Sequence, residues 1–148
     1  MEKTKIGIAA DHAGFFMKEN IKDYLKKAGY NVTDFGTYTD ESTDYPDFAH
    51  AIANAIFKKE VDLGITICAT GNGINMTVNK HQHIRGALCW NEEIGRLARA
   101  HNDANICALP GRFISVAEAI TIIKTFLSTE FEGGRHERRI KKIPLSNY

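Results

Sequence analysis

The sequence predicts a parallel α/β fold, and two observations carry that prediction. Short runs rich in β-branched residues alternate about five times with stretches of helical periodicity, and the connections between them are brief. Such alternation argues a five-stranded parallel sheet with helices on both faces, joined by right-handed crossovers. The 148 residues suit one domain, spanning 1–148, because no linker, repeat or low-complexity tract divides them.

Taken in order, residues 5–10 are apolar enough for a buried strand, and Asp11-His12-Ala13-Gly14 breaks it. Met17, Ile21, Tyr24, Leu25 and Ala28 then fall at helical spacing before Gly29, a natural stop. Residues 30–35 read as the second strand and 37–44 as a polar loop. Tyr45-Pro46-Asp47 opens a helix whose expected stripe is Phe48, Ala49, Ile52, Ala53, Ile56 and Phe57. The third strand is expected over 61–67 and a short helix over 74–80. A fourth strand (85–89), a helix (92–100) carrying Ile94, Leu97 and Ala98, and a fifth strand (105–109) follow. The helix over 115–127 is expected to bury Ala117, Ile120, Ile123 and Leu127, with Ser115 as its cap. A basic segment over 135–143 comes after a Gly133-Gly134 hinge.

Bulk composition excludes several roles. A net charge of +1 offers no reason to expect nucleic acid or membrane partners. No apolar run reaches the ~20 residues needed to cross a bilayer, and the first residues show no signal-peptide cleavage pattern. Three cysteines, Cys68, Cys89 and Cys107, form neither a CxxC pair nor an even framework. The expectation is a cytoplasmic protein with reduced thiols and no metal.

The stretch Cys68-Ala69-Thr70-Gly71-Asn72-Gly73 carries the chemistry. Ligands of open parallel sheets bind beyond the carboxyl ends of the strands, and here a strand ends in a thiol. Gly71 and Gly73 let backbone amides approach an anion closely. The plain alternative is a small buried hydrophobe followed by a turn, and for Cys89 and Cys107, inside strands, that alternative stands. The loop lacks the Gly-Lys-Ser/Thr of a Walker A motif, and Ile74 stands where a thiol phosphatase would carry arginine. It also lacks the third glycine of a dinucleotide fingerprint, so a nicotinamide cofactor is not expected.

Three further groups are candidates. If the first and third strands are neighbours, Asp11 and His12 face Cys68, and a carboxylate beside an imidazole suits proton transfer. Asp11 as a mere helix cap is the alternative. His101, with Asn102, ends a helix, which places it on the rim opposite the strand ends of its own sheet. If it works with Cys68, it comes from a partner subunit. Arg135 and Arg139 are four apart and can share one helical face to clamp a phosphate, and Arg112 lies just past the fifth strand. A solvated basic tail is the alternative.

Together these residues resemble a family. Asp11-His12-Ala13-Gly14, Thr43-Asp44-Tyr45-Pro46, the Cys68–Gly73 loop, Asn79-Lys80, His101-Asn102-Asp103-Ala104-Asn105 and Glu132-Gly133-Gly134-Arg135-His136 are similar to the motifs of ribose-5-phosphate isomerases of type B. That group also contains the galactose-6-phosphate isomerase subunits of lactose pathways. The resemblance covers about residues 5–143 in order and spacing. It implies a Rossmann-like three-layer α/β/α domain acting as a homodimer, or dimer of dimers, with active sites shared between subunits. It implies interconversion of D-ribose 5-phosphate and D-ribulose 5-phosphate without cofactor or metal. Cys68 would be the base that moves the proton, assisted by Thr70, with the amides of Ala69, Thr70, Gly71, Asn72 and Gly73 stabilising the enediolate. His101 and Asp11 would open the ring. His12, Arg112, Arg135 and Arg139 would hold phosphate, and Tyr45 and Asn102 the sugar. The segment from about residue 131 onward would pack on the partner.

Ala69 departs from the glycine usual in that family, and would be strained if the position requires positive φ. Two other readings compete. A six-carbon phosphosugar such as galactose 6-phosphate or allose 6-phosphate is a rival substrate, and a non-catalytic phospho-ligand module is a rival of another class.

Overall fold

The computed structural model describes residues 3–145. Five strands, β1 (Lys5–Ala10), β2 (Asn31–Asp34), β3 (Leu63–Cys68), β4 (Gly86–Leu88) and β5 (Ile106–Pro110), form one sheet. Its order is β2-β1-β3-β5-β4 and every pairing is parallel. Helices α1 (Phe15–Lys27), α2 (Tyr45–Phe57), α3 (Asn72–Val78), α4 (Glu92–Asn102), α5 (Val116–Ser128) and α6 (Arg135–Ile140) connect and flank the strands.

Both faces of the sheet are covered because its strands bury alternate residues on opposite sides. Ile6, Ile8, Ala10, Ile65, Ile67, Cys107 and Leu109 pack with Met17, Ile21 and Leu25 of α1, Ala98 of α4, and Ile122, Ile123 and Phe126 of α5. The intervening positions Ala9, Cys68 and Ile106 face Ala49, Ile52 and Ala53 of α2 and Ile74 and Val78 of α3. Each fully buried Ile or Leu contributes about 1.5–3 kcal/mol of transfer free energy. The result is the expected three-layer α/β/α arrangement. The direction in which strands are added across the sheet reverses between β1 and β3, since β1 leads outward to β2 while β3 begins the other half. That switch point opens a crevice at the strands' carboxyl ends.

Several elements differ from the expectation. The buried face of α5 is Ala119, Ile122, Ile123 and Phe126, while Ala117 is exposed and Ile120 and Leu127 only partly buried. Glu118, Thr121, Lys124 and Ser128 mark the exposed face of the helix, so of the expected set only Ile123 lies at the centre of the opposite, buried arc and the others lie at its edge or outside it. Its start follows the sequence: Ser115 accepts from the Glu118 N–H while the Glu118 carboxylate accepts from Ser115 N–H, a full capping box. Helix α3 begins at Asn72 rather than 74, drawing half the glycine loop into its first turn. Phe57, placed on the buried stripe of α2, is 69% exposed at the helix end and tilts against His83. Ala28 lies past the end of α1 and is exposed. Leu97 and Ile94 are half-buried, because α4 packs along α5 and buries Gly95, Ala98 and Ala100. Cys89 falls one residue beyond β4, still buried.

Lys18 is fully buried, which the pattern of α1 did not announce. Its ammonium lies 2.6 Å from Asp34 and 3.0 Å from Glu19, and Lys22 completes the cluster at 2.8 Å from Asp34. Burial works to raise the Asp34 carboxyl pKa, but hydrogen bonds from Lys18, Lys22 and the Gly36 N–H outweigh it, and the net shift is downward.

Candidate active site

The crevice between β1 and β3 gathers the carboxyl-end candidates. Ala10 pairs with Ile67, and the Asp11 N–H then donates to the Ile67 carbonyl at 3.3 Å, so Asp11 is carried to the end of β3 beside Cys68. Cys68 is 4% exposed and faces the α2–α3 side. Beyond the sheet the strand pairing continues: Gly111 N–H donates to Cys68 O at 2.9 Å and Arg112 N–H to Ala69 O at 3.0 Å. Arg112 is thereby tied to the thiol loop by backbone.

The loop itself turns at Gly71, whose φ of 77° belongs to the left-handed region. A side chain there would also drive into Leu88 and the Leu109 carbonyl. This turn opens the first turn of α3, where backbone N–H groups lack helical partners and suit an anion. Asn72 N–H donates to Thr70 Oγ1 at 3.2 Å, and Thr77 Oγ1 donates to Gly73 O at 2.9 Å. The Tyr45 ring lies on Gly73, where a Cβ would come 2.6 Å from ring Cζ. Among the described residues the non-glycine positions at positive φ are Lys59 and Asp103, so Ala69 offers its N–H without that strain.

Asp11 caps: its Oδ1 accepts from Ala13 N–H at 3.0 Å and Gly14 N–H at 3.2 Å. The plain reading is therefore part of its role. His12 is fixed by Thr43, a residue the sequence did not single out for this. His12 N–H donates to Thr43 Oγ1 at 3.0 Å, and Thr43 N–H donates to His12 Nδ1 at 3.1 Å. The Thr43 carbonyl oxygen lies 3.2 Å from the same Nδ1, so Thr43 meets that ring nitrogen with both a donor and an acceptor and fixes the ring's orientation.

The second group lies on the opposite rim. Cys68 pairs with Pro110, the last residue of β5, while His101 and Asn102 end α4 just before β5 begins at Ile106. Four residues of strand, about 13 Å, separate those levels. His101 and Cys68 thus do not meet in one protomer. Asn102 lines a cleft of about 230 Å³ with Asn79, Arg85, Ala104 and Ile143. Its carbonyl accepts from Arg85 Nε at 2.9 Å, and Asp103, at φ 45°, ends the helix while bonding Arg85 and Arg99. Arg135 and Arg139 are exposed on α6, four residues apart as expected.

His101 has two companions that sequence reasoning left without a role. Its ring stacks on His136 with centroids 4.2 Å apart and planes 13° from parallel. Glu132 Oε2 lies 3.8 Å from His101 Nε2 and 3.6 Å from His136 Nε2. Burial, His101 and Arg135 lower the His136 pKa against the opposing pull of Glu132. These three residues are the cluster capable of holding a metal ion among the described residues. Glu132 lies outside α6 and reaches His136 through a turn at Gly133 and Gly134, with φ of 70° and 60°, so no helical spacing in the sequence signalled the pair.

Cys89 and Cys107 play no part at either rim. The Cys107 thiol is pushed well up by its hydrogen bond with Cys89 and by complete burial.

A doubly wound parallel sheet with a thiol and an amide-lined loop at its switch point defines an α/β protein whose strand-end crevice suits a small anionic ligand. The model of the Ribose/Galactose Isomerase family matches residues 6–143. The chain belongs to that family. It is 40% identical over 139 residues to ribose-5-phosphate isomerase B of Escherichia coli, covering 94% of this chain and 93% of that one. The crystal structure of a ribose 5-phosphate isomerase from Thermotoga maritima superposes with a TM-score of 0.95 at 51% identity, covering 97% of this chain and 99% of that one. The Mycoplasma genitalium ribose-5-phosphate isomerase B, solved with bound ribulose-5-phosphate, gives 0.92 at 44% identity, covering 97% of this chain and 95% of that one.

Proposed function

We propose that this protein is an aldose–ketose isomerase interconverting D-ribose 5-phosphate and D-ribulose 5-phosphate. The observation that carries the reading is Cys68 at the switch point, in a chain 44% identical to an enzyme solved with ribulose-5-phosphate. His101 and Asp11 open the furanose. The Cys68 thiolate takes the C2 proton of the open aldose, and the electrons move into an enediolate. The protonated Cys68 returns that proton to C1, while a proton passes from O2 to O1 beside Thr70. Loop amides from Ala69 to Gly73 hold the negative charge that develops, and losing one such donor typically costs about 100-fold.

Phosphate is held by His12, Arg112, Arg135 and Arg139, and the sugar by Tyr45 and Asn102. Binding energy from the remote phosphate orients the reacting carbons. Because His101 and Cys68 stand on opposite rims, the working unit is a homodimer, or a dimer of such dimers, in which each site takes its thiol from one protomer and its histidine from the other. The segment from about residue 131 reaches toward that neighbour. Free Cys68, Cys89 and Cys107 suit a reducing cytoplasm.

The test is turnover of ribose 5-phosphate by wild type and Cys68→Ala, beside galactose 6-phosphate. Loss of turnover in Cys68→Ala with substrate binding retained is expected. Near-normal turnover in that variant would overturn the mechanism, and faster use of the six-carbon substrate would overturn the substrate.

A further inference from the structure

We propose that His101, Glu132 and His136 form an inhibitory site for a divalent transition cation of the zinc type. One ligand atom from each lies within 4.8 Å of the others. Two imidazoles and one carboxylate are a donor set that zinc, cobalt and nickel accept. The carboxylate oxygen stands 3.8 and 3.6 Å from the two Nε2 atoms, too far for hydrogen bonds. Ligands of one tetrahedral zinc at ordinary bond lengths stand about 3.3–3.6 Å apart, so the carboxylate already stands near ligand distance of both imidazole nitrogens.

A second observation points to the same place. His136 Nε2 is buried and makes no hydrogen bond among the described residues, and its side chain is 9% exposed. A buried nitrogen held at the edge of an acceptor without bonding it calls for an occupant between them.

The stack sets the consequence of binding. A metal sits in the plane of the imidazole that binds it, and two nearly parallel rings cannot both offer in-plane lone pairs to one ion. His136 is enclosed, whereas His101 is 37% exposed and Glu132 53%. Coordination therefore swings His101 out of its stack and occupies its Nε2. Arg135 and Arg139 oppose a cation here, while the Glu93 carboxylate, which also senses His101, favours one. The site is consequently of moderate strength, suited to reversible occupation. Inhibition, unlike binding, rests on the isomerase reading, because it acts by withdrawing His101 from ring opening.

Chelator-treated protein titrated with Co²⁺ tests binding directly by its visible absorption. The expected result is one ion per chain at micromolar Co²⁺, displaced by Zn²⁺. Glu132→Gln, at an exposed position that folding tolerates, and His136→Asn should each weaken it at least tenfold, and Cys68→Ala should leave it unchanged. Binding that survives His136→Asn and Glu132→Gln, or disappears in Cys68→Ala, overturns the site. In a direct assay of ketose formation, Zn²⁺ should inhibit wild type reversibly by chelator. Cobalt binding without inhibition overturns the inhibitory role. Inactivity of the chelator-treated enzyme itself overturns the isomerase reading instead, and leaves the spectroscopic test of the site intact.

Discussion

The ring of Tyr45 rests on Gly73, so closely that an added Cβ would lie 2.6 Å from ring Cζ. One residue begins α2 and the other sits in the first turn of α3, so the contact joins the start of one helix to the amide loop of the next. Gly73→Ala should push the ring aside and tilt the loop amides together. Turnover is expected to fall by about 100-fold, the cost typical of a lost oxyanion donor. Tyr45→Ala, which removes the clash but keeps the loop, should mainly raise KM. Steady-state kinetics of the two single variants and the double variant check this, since rescue of turnover in the double variant is expected.

The opposite-rim placement of Cys68 and His101 makes a quantitative prediction for mixed dimers. Cys68→Ala and His101→Asn are each expected to be inactive alone. Random reassortment makes half the dimers mixed, and each mixed dimer holds one intact site of two, so about a quarter of wild-type activity should return. Sites complete within one protomer would return none. Co-refolding the two variants and assaying the mixture makes the measurement.

Arg135 leads α6 and is exposed in the protomer. As a phosphate clamp it contributes charge-assisted hydrogen bonds of about 1.5–3 kcal/mol, so Arg135→Ala should raise KM by about tenfold or more. Arg135→Lys should restore only part, because an ammonium cannot make the bidentate fork. Comparing KM for ribose 5-phosphate across the three proteins checks it, and an unchanged KM would return α6 to a solvated basic face.

The Lys18–Asp34 pair predicts the acid response of the fold. The Asp34 carboxyl is held below its ordinary value of 3.8, so its stabilisation is full above that pH and is lost as pH falls through the depressed native value. Asp34→Asn leaves the buried Lys18 ammonium short of its nearest partner and should cost about 3 kcal/mol at neutral pH. The stability gap between wild type and variant should narrow as pH falls below about 4. Denaturant melts at pH 7 and at pH 3 measure both.

What the sequence determined by itself is local and periodic. Alternation of short apolar runs with helical stretches was enough for five parallel strands and helices on both faces, and strand-end position was enough to single out Cys68. Ser115 marked a helix start through a cap contact only three residues away. The family's motifs also stand in the sequence, from Asp11-His12 to Arg135-His136, and the family match spans 6–143. Tertiary structure decided whatever depends on which surfaces meet. The phase of α5 followed from its packing on the sheet, α1 and α4, which centres the buried arc on Ala119, Ile122, Ile123 and Phe126 opposite the polar stripe. The nearest countercharge to buried Lys18 is Asp34, sixteen residues away, which joins the adjacent Glu19. The orientation of the His12 ring depends on Thr43, thirty-one residues off. The stack of His101 on His136 required α4 and α6 to be brought side by side. Chain-local spacing carries hydrogen-bonding and amphipathic preference, but partners distant in sequence are chosen by packing.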